Sequence, residues 1–209
     1  MPGPGRPPIV SDDVILQQAL AAFAASGFDA MSVRALNAQL GLSHETISKR
    51  FGPKRDLFRA AVRYGVGRFI TDLDAEIELA PPGDDLARLR STIRGFMVTT
   101  SHHSALGELL NNEGIDDDER AVLIGETGLG ERLSEVVGLL HRLHAAGVIR
   151  QTRLRELWFL LQGAVGALHH QSLSRMFDPF DGPVDPVELI ARQTDAVMRT
   201  MVIGDDLGR

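Results

Sequence analysis

Between positions 11 and 201, apolar residues recur three or four apart, bracketed by residues that start helices and residues that stop them. This rhythm matches the 3.6-residue helical turn, and no alternating stretch competes with it, so an all-α fold of about nine helices is expected. Ser11 is placed to cap a first helix, with Asp12 and Asp13 near the positive end of its dipole; Ile15, Ala19 and Phe23 share one face and Gly27 stops it. Ser32 opens a short second helix (Val33, Leu36, Leu40) that Gly41 ends. Ser43 opens a third, with Ile47 and Phe51 one turn apart. Gly52-Pro53 is a stop and a restart, because proline is tolerated at a first helical position. A long fourth helix follows, with Leu57, Phe58, Ala61 and Val62 inward. Past the break at Pro81-Pro82-Gly83, helices are expected over 84–101, 105–112, 116–146 and 154–176. A loop over 178–183 precedes the last helix, which starts at Asp185-Pro186 and presents Val187, Ile190, Thr194, Val197, Met198 and Met201.

Composition narrows the chemistry. Of 209 residues, 44% are apolar and 24% charged, which suits a packed domain and not a disordered chain. The absence of cysteine excludes disulfides, thiolate metal sites and thiol nucleophiles, and fits a reducing cytoplasm. The opening Met-Pro-Gly-Pro-Gly-Arg-Pro-Pro lacks the apolar stretch of a signal peptide. No run approaches the ~18 apolar residues of a membrane span, so no membrane partner is expected.

Catalytic and metal chemistry find no support either. Adjacent histidines on a helix (His102-His103, His169-His170) diverge by ~100°, and His141 with His144 has no carboxylate at a recognised spacing. The acidic run Asp116-Asp117-Asp118-Glu119 lacks the alternation and turn glycine of a calcium loop, and reads as the first turn of a helix. Gly125, Gly128 and Gly130 follow no strand and precede no Gly-Lys-Ser/Thr, so they make no phosphate loop. No cofactor, no metal and no enzymatic activity are expected.

Charge is unevenly spread. The formal net charge is −6, yet residues 1–60 carry a net +2, and residues 49–63 hold six basic groups against Asp56 alone. A basic patch on an acidic body presents its N-terminal end to a polyanion.

That end carries the informative motif. Two short helices joined by Gly41-Leu42-Ser43 make a helix-turn-helix, which lays its second helix in the major groove of duplex DNA. Gly41 allows the tight left-handed turn, and Leu42, Ile47 and Phe51 point inward. His44, Glu45, Ser48 and Lys49 are left outside, near the helix start, where base edges are within reach.

The run Ile15-Leu16, Ala19, Phe23, Gly27-Phe28, Ser32-Val33-Arg34, Leu36, Gly41-Leu42-Ser43, Thr46-Ile47, Phe51, Lys54, Leu57-Phe58 resembles the DNA-binding domain of the TetR family of transcriptional regulators, over roughly residues 10–68. The resemblance implies phosphate contacts at Ser32, Arg34, Thr46 and Lys54, and groove contacts at His44, Ser48 and Lys49. It also implies an N-terminal arm over 1–10 whose Arg6 could thread a minor groove. The chain departs from the family pattern at Glu45 (usually Gly), Ser48 (usually Tyr), Arg50 (usually His or Tyr) and Asn37 (often Ala). Glu45 is unfavourable near phosphate unless it accepts from a cytosine amino group, and Arg50 could restore phosphate affinity.

The expected organisation is therefore an arm over 1–10, a DNA-binding head over 11–53 and a helical ligand-binding and dimerisation body over 54–209. In the body, Phe69, Phe96, Met97, Leu106, Leu109, Trp158, Gln162 and His169 are the candidate lining of an effector cavity. The 154–176 helix is apolar nearly all round, and with the last helix it suggests a two-fold bundle through Trp158, Leu161, Val165, Leu168, Ile190, Val197 and Met201. Two heads reading half-sites of a palindromic operator would supply the specificity that one short helix lacks. The expected function is a homodimeric repressor released by a small-molecule effector. Two alternatives stand beside it: a DNA-organising or protein-partnered regulator without an effector, and a small helical carrier or enzyme that ignores duplex DNA.

Overall fold

The computed structural model describes residues 10–111 and 124–204. Among them the helices are α1 (Asp12–Ala30), α2 (Val33–Gln39), α3 (Thr46–Phe51), α4 (Lys54–Ile77), α5 (Asp85–His102), α6 (Ser104–Asn111), α7 (Leu129–Ala145) and α8 (Leu154–Ala164). Three single turns follow, α9 (Gly166–His169), α10 (Gln171–Ser174) and α11 (Asp178–Asp181), before the final α12 (Pro186–Met201). The fold is all-α, as the periodicity implies. No described helix is long and apolar enough to cross a membrane. The chain forms two compact units, one of residues 1–67 with 105–127 and one of 68–104 with 128–209, so α4 contributes to both.

The first unit is built on α1 to α3 and the start of α4. Ser11 accepts from the Val14 amide and Ser32 from the Ala35 amide, so both caps lie where the sequence puts them. Ile15, Ala19 and Phe23 are fully buried, together with Leu36, Ile47, Leu57, Phe58 and Val62. Phe58 meets Phe23 and Phe28 edge-on at 5.0 and 5.3 Å between ring centres, an aromatic cluster at the root of α4. Gly27 breaks α1 with φ 76°, and Gly41 takes φ 65° in the turn after α2. The third helix starts at Thr46, later than a Ser43 cap would place it. The Ser43 hydroxyl pairs with the Thr46 hydroxyl at 2.7 Å and caps no amide.

In the second unit α5 packs against α7, α8 and α12. The core between them includes Leu89, Ile93, Met97, Leu140, Leu157, Val197 and Met198. Arg142 grips Asp85 with two bonds of 2.7 and 3.0 Å, which holds that carboxyl below its ordinary range. An isolated bridge between Ile149 and Val202 ties the end of α12 to the loop after α7. Two expected helices are interrupted. The 116–146 helix begins outside the described residues, and Gly128, at φ 74°, precedes a fresh start at Leu129. The 154–176 helix breaks at Val165 and again at His170, next to Gly163 and Gly166, whose helix propensity is about 1 kcal/mol poorer than that of Ala.

At Gly95, α5 lies close against α4. A Cβ there would lie 2.8 Å from the Glu76 Cβ and 3.1 Å from the Leu73 Cδ1. Gly95→Ala gains about 1 kcal/mol of helix propensity but forces overpacking of about 1–3 kcal/mol. A lower thermal unfolding midpoint is therefore expected, and a raised midpoint would contradict the close approach.

Candidate nucleic-acid interface

The geometry of the helix-turn-helix rests on Asn37, which is fully buried on α2. Its amide nitrogen donates to the carbonyls of Val33 (3.0 Å) and His44 (3.1 Å). Its amide oxygen accepts from the backbone N–H of Ile47 at 3.2 Å. Glu45 occupies the N-cap position of α3 without a capping bond from its side chain, so the Asn37 oxygen serves an amide of the first turn from outside the helix. The backbone carbonyl of Asn37 also accepts from the Leu42 amide at 2.8 Å. The side chain thus joins the first turn of α2 to His44 in the turn and to the start of α3. The sequence shows Asn37 only as a departure from a family pattern. Its role becomes visible when α3 folds back over α2.

Ile47 is fully buried beneath α3, while His44, Glu45, Ser48, Lys49 and Arg50 are exposed on the other sides, and Thr46 is half-buried. Arg34 is exposed on α2, where Ser32 is engaged as the cap. Three of the basic candidates have partners of their own. Lys49 pairs with Glu45 at 2.8 Å, one turn away. Arg50 donates to the Val10 carbonyl at 2.7 Å and meets Asp12 at 3.2 Å, which directs it to the start of α1. Lys54 donates to the Asp29 carbonyl at 3.0 Å and sits 4.9 Å above the Phe28 ring. Arg6 and the arm, apart from Val10, lie outside the described residues.

Residues 15–61 match the family model of the bacterial regulatory proteins of the tetR family. That match spans the helix-turn-helix and the start of α4. Over most of the chain, solved structures share the fold. The TetR family transcriptional regulator PfmR from Thermus thermophilus aligns at TM-score 0.63 and 19% identity, covering 94% of this chain and 100% of that one. A TetR family transcription regulator from Marinobacter aquaeolei aligns at 0.64 and 14%, covering 92% and 96%. The fatty acid degradation regulator FadR from Bacillus halodurans aligns at 0.58 and 18%, covering 90% and 98%. Identities this low show the common tetR-type architecture and nothing finer. No curated protein matches the sequence.

The effector candidates divide between the two units. Phe69, Phe96, Met97, Trp158, Gln162 and His169 belong to the second unit, whereas Leu106 and Leu109 are buried in the first. None of the eight lines the two larger described clefts. One, of about 420 Å³, lies among Pro81, Asp84, Arg88, Arg132 and Arg142. The other, of about 520 Å³, lies among Gly163, Gly166, His170, Leu173, Phe177 and Leu189. No cluster of metal-binding side chains occurs among the described residues.

The seven interface candidates turn inward. Leu161, Val165, Ile190, Val197 and Met201 are buried in the core of their own unit, and Trp158 and Leu168 are packed half-buried against it. A helix apolar all round turns one side to its own core, and these residues lie on that side. The outer side of α8 carries Phe159 (68% exposed) and Leu160, and α12 starts with the exposed Val187.

Two substitutions test the head. Asn37→Ala strands a buried amide and carbonyl, and each buried polar group left unpaired costs about 1–3 kcal/mol, so a lower unfolding midpoint and weaker duplex binding are expected. Unchanged stability would show that the turn stands without the side chain. Glu45→Gln releases Lys49 and removes a negative charge. Affinity for duplex DNA is expected to rise, and its log–log dependence on salt to steepen by about one unit. A loss of affinity confined to one operator base pair would instead make Glu45 a base reader.

Proposed function

We propose that the chain is a homodimeric, sequence-specific repressor of transcription that releases a palindromic DNA operator when a small molecule binds its second unit. The observation that carries this reading is α3 itself: buried on one side through Ile47, pinned by Asn37, and polar and exposed through His44, Ser48 and Lys49. In the proposal, residues 11–53 read the duplex, an arm over 1–10 with Arg6 reaches the minor groove, and residues 54–209 dimerise and bind the effector. Ser32, Arg34, Thr46 and Lys54 lie along the phosphates. Glu45 sits close enough to the bases to accept from a cytosine. Arg50 becomes available to phosphate once it leaves Val10 and Asp12. The cytoplasm is where such a protein meets DNA.

Dimerisation follows from the apolar surface that α8 and α12 leave uncovered, since large contiguous apolar patches on soluble proteins mark contacts. Phe159, Leu160 and Val187 line it, and Gly163 and Gly166 have open space where a Cβ would be, which lets another helix come close. A ligand that prefers the form with wrongly spaced heads weakens DNA binding by the same factor by which DNA weakens ligand binding.

Selection of duplexes from a random pool by the full-length protein, followed by salt titration of the winner, tests the reading. Enrichment of an inverted repeat with a steep salt dependence is expected. Recovery of no preferred duplex at low salt would refute it. Phe159→Glu is expected to yield a folded monomer with at least tenfold weaker operator binding; a dimer of unchanged affinity would remove this face from the interface.

A further inference from the structure

The chain carries 22 Lys and Arg residues, and just two of them are lysines, Lys49 and Lys54. Arginine makes the ion pairs of the second unit, through Arg90, Arg94, Arg132, Arg142 and Arg192. Both lysine amines therefore stand at the helix-turn-helix, one near the end of α3 and one at the start of α4. A need for positive charge alone does not call for lysine, because guanidinium stays protonated and forks better onto phosphate. What lysine adds is an amine that can lose a proton and attack an acyl carbon.

The two amines differ in their surroundings. Lys54 is half-buried, donates to the Asp29 carbonyl at 3.0 Å and lies over the Phe28 ring, and both partners hold it. The Lys49 side chain is 74% exposed, and its partner Glu45, at 2.8 Å, is 72% exposed. Exposed pairs of this kind are weak, so the Lys49 amine separates from Glu45 readily. Within residues 49–63, Lys49, Arg50, Lys54, Arg55, Arg59 and Arg63 stand against Asp56 alone, a field that concentrates small anions at this end. An acyl phosphate is such an anion, and it carries an activated acyl group.

We propose that Lys49 is a site of acylation by acyl phosphates, and that this modification weakens duplex binding. The inference rests on the reading of the first unit as DNA-binding. In the step, the Lys49 ammonium first gives a proton to solvent, and the Nζ lone pair attacks the acyl carbon. An N–C bond forms, the C–O bond to phosphorus-bound oxygen breaks, and phosphate leaves with that electron pair. The nitrogen releases a second proton, and a neutral amide remains. Glu45 is then left without its partner on the exposed side of α3, so one attraction to DNA is lost and one repulsion uncovered. Lys54, held by Asp29 and Phe28, reacts more slowly.

The full-length protein is incubated with acetyl phosphate, with and without its selected duplex. Peptide mass spectrometry locates the label, and operator affinity is measured on the same samples. Lys49 is expected to label roughly fivefold faster than Lys54, the difference one net hydrogen bond makes, and the duplex should suppress the Lys49 label. Protein acetylated at Lys49 should bind the operator on the order of tenfold more weakly, with a log–log salt dependence shallower by about one unit. Lys49→Gln should show the same weakness without reagent, and adding Glu45→Gln to it should recover part of the loss. Lys49→Arg keeps a charge but lacks the amine, so treatment should leave that variant's own affinity where it was. Equal labelling of the two lysines, faster labelling of Lys54, or unchanged operator affinity after Lys49 is acetylated would overturn the inference. So would a loss of affinity on treating Lys49→Arg. Untreated protein that binds no duplex would instead sink the DNA-binding reading, whatever the labelling shows.

Discussion

Ile47 and Asn37 hold α3 by different means, and everything outward of that helix depends on both. Ile47 supplies apolar burial, which has no direction of its own and would tolerate several angles between α2 and α3. Asn37 supplies direction: its donors and acceptor fix the carbonyl of His44 and the amide of Ile47 relative to α2. A buried amide with all these partners is rigid because any rotation leaves at least one of them unpaired in a low-dielectric setting. The outward faces of His44, Ser48 and Lys49 take their orientation from that lock.

The charge on the head is spent locally before any polyanion arrives. Arg50 and Lys54 reach backbone carbonyls at the two ends of α1, and Lys49 is matched by Glu45 on its own helix. Exposed pairs of this kind are worth little in isolation, on the order of 0–1 kcal/mol, so exchanging Glu45 or Asp12 for phosphate is inexpensive. The arrangement keeps the long side chains ordered near α1. It also keeps the net positive charge of the head small, which favours reading by shape and base contacts over indiscriminate attraction.

What was legible in the sequence follows from range. Caps at Ser11 and Ser32, the inward set Ile15, Phe23, Leu36 and Ile47, and the turn at Gly41 are fixed by residues three or four apart, and the structure has them all. The break of the 154–176 segment was hidden because its apolar run looks continuous, while Gly163, Gly166 and the later packing of His169 decide where it bends. The inward and outward sides of α8 could not be told apart for the same reason: Trp158, Leu161 and Val165 are no more apolar than Phe159 and Leu160, and only the surrounding helices select between them. The partners of Asn37, Arg50 and Lys54 lie 10, 40 and 25 residues away, beyond what helical periodicity reveals.

The link between body and head runs through covalent continuity: α4 gives its first part to one unit and its last part to the other. A ligand acting through such a helix has to favour one spacing of two heads over another, so the claim beneath the whole account is that α3 works in pairs on one duplex. Footprinting of the full-length protein on its selected duplex, with the chain-to-duplex ratio measured on the same complex, addresses that claim most directly. Two protected major-groove segments related by a two-fold axis, with an even number of chains per duplex, are expected. A single protected segment bound by one chain, or protection unaltered by Ser48→Glu, would contradict it.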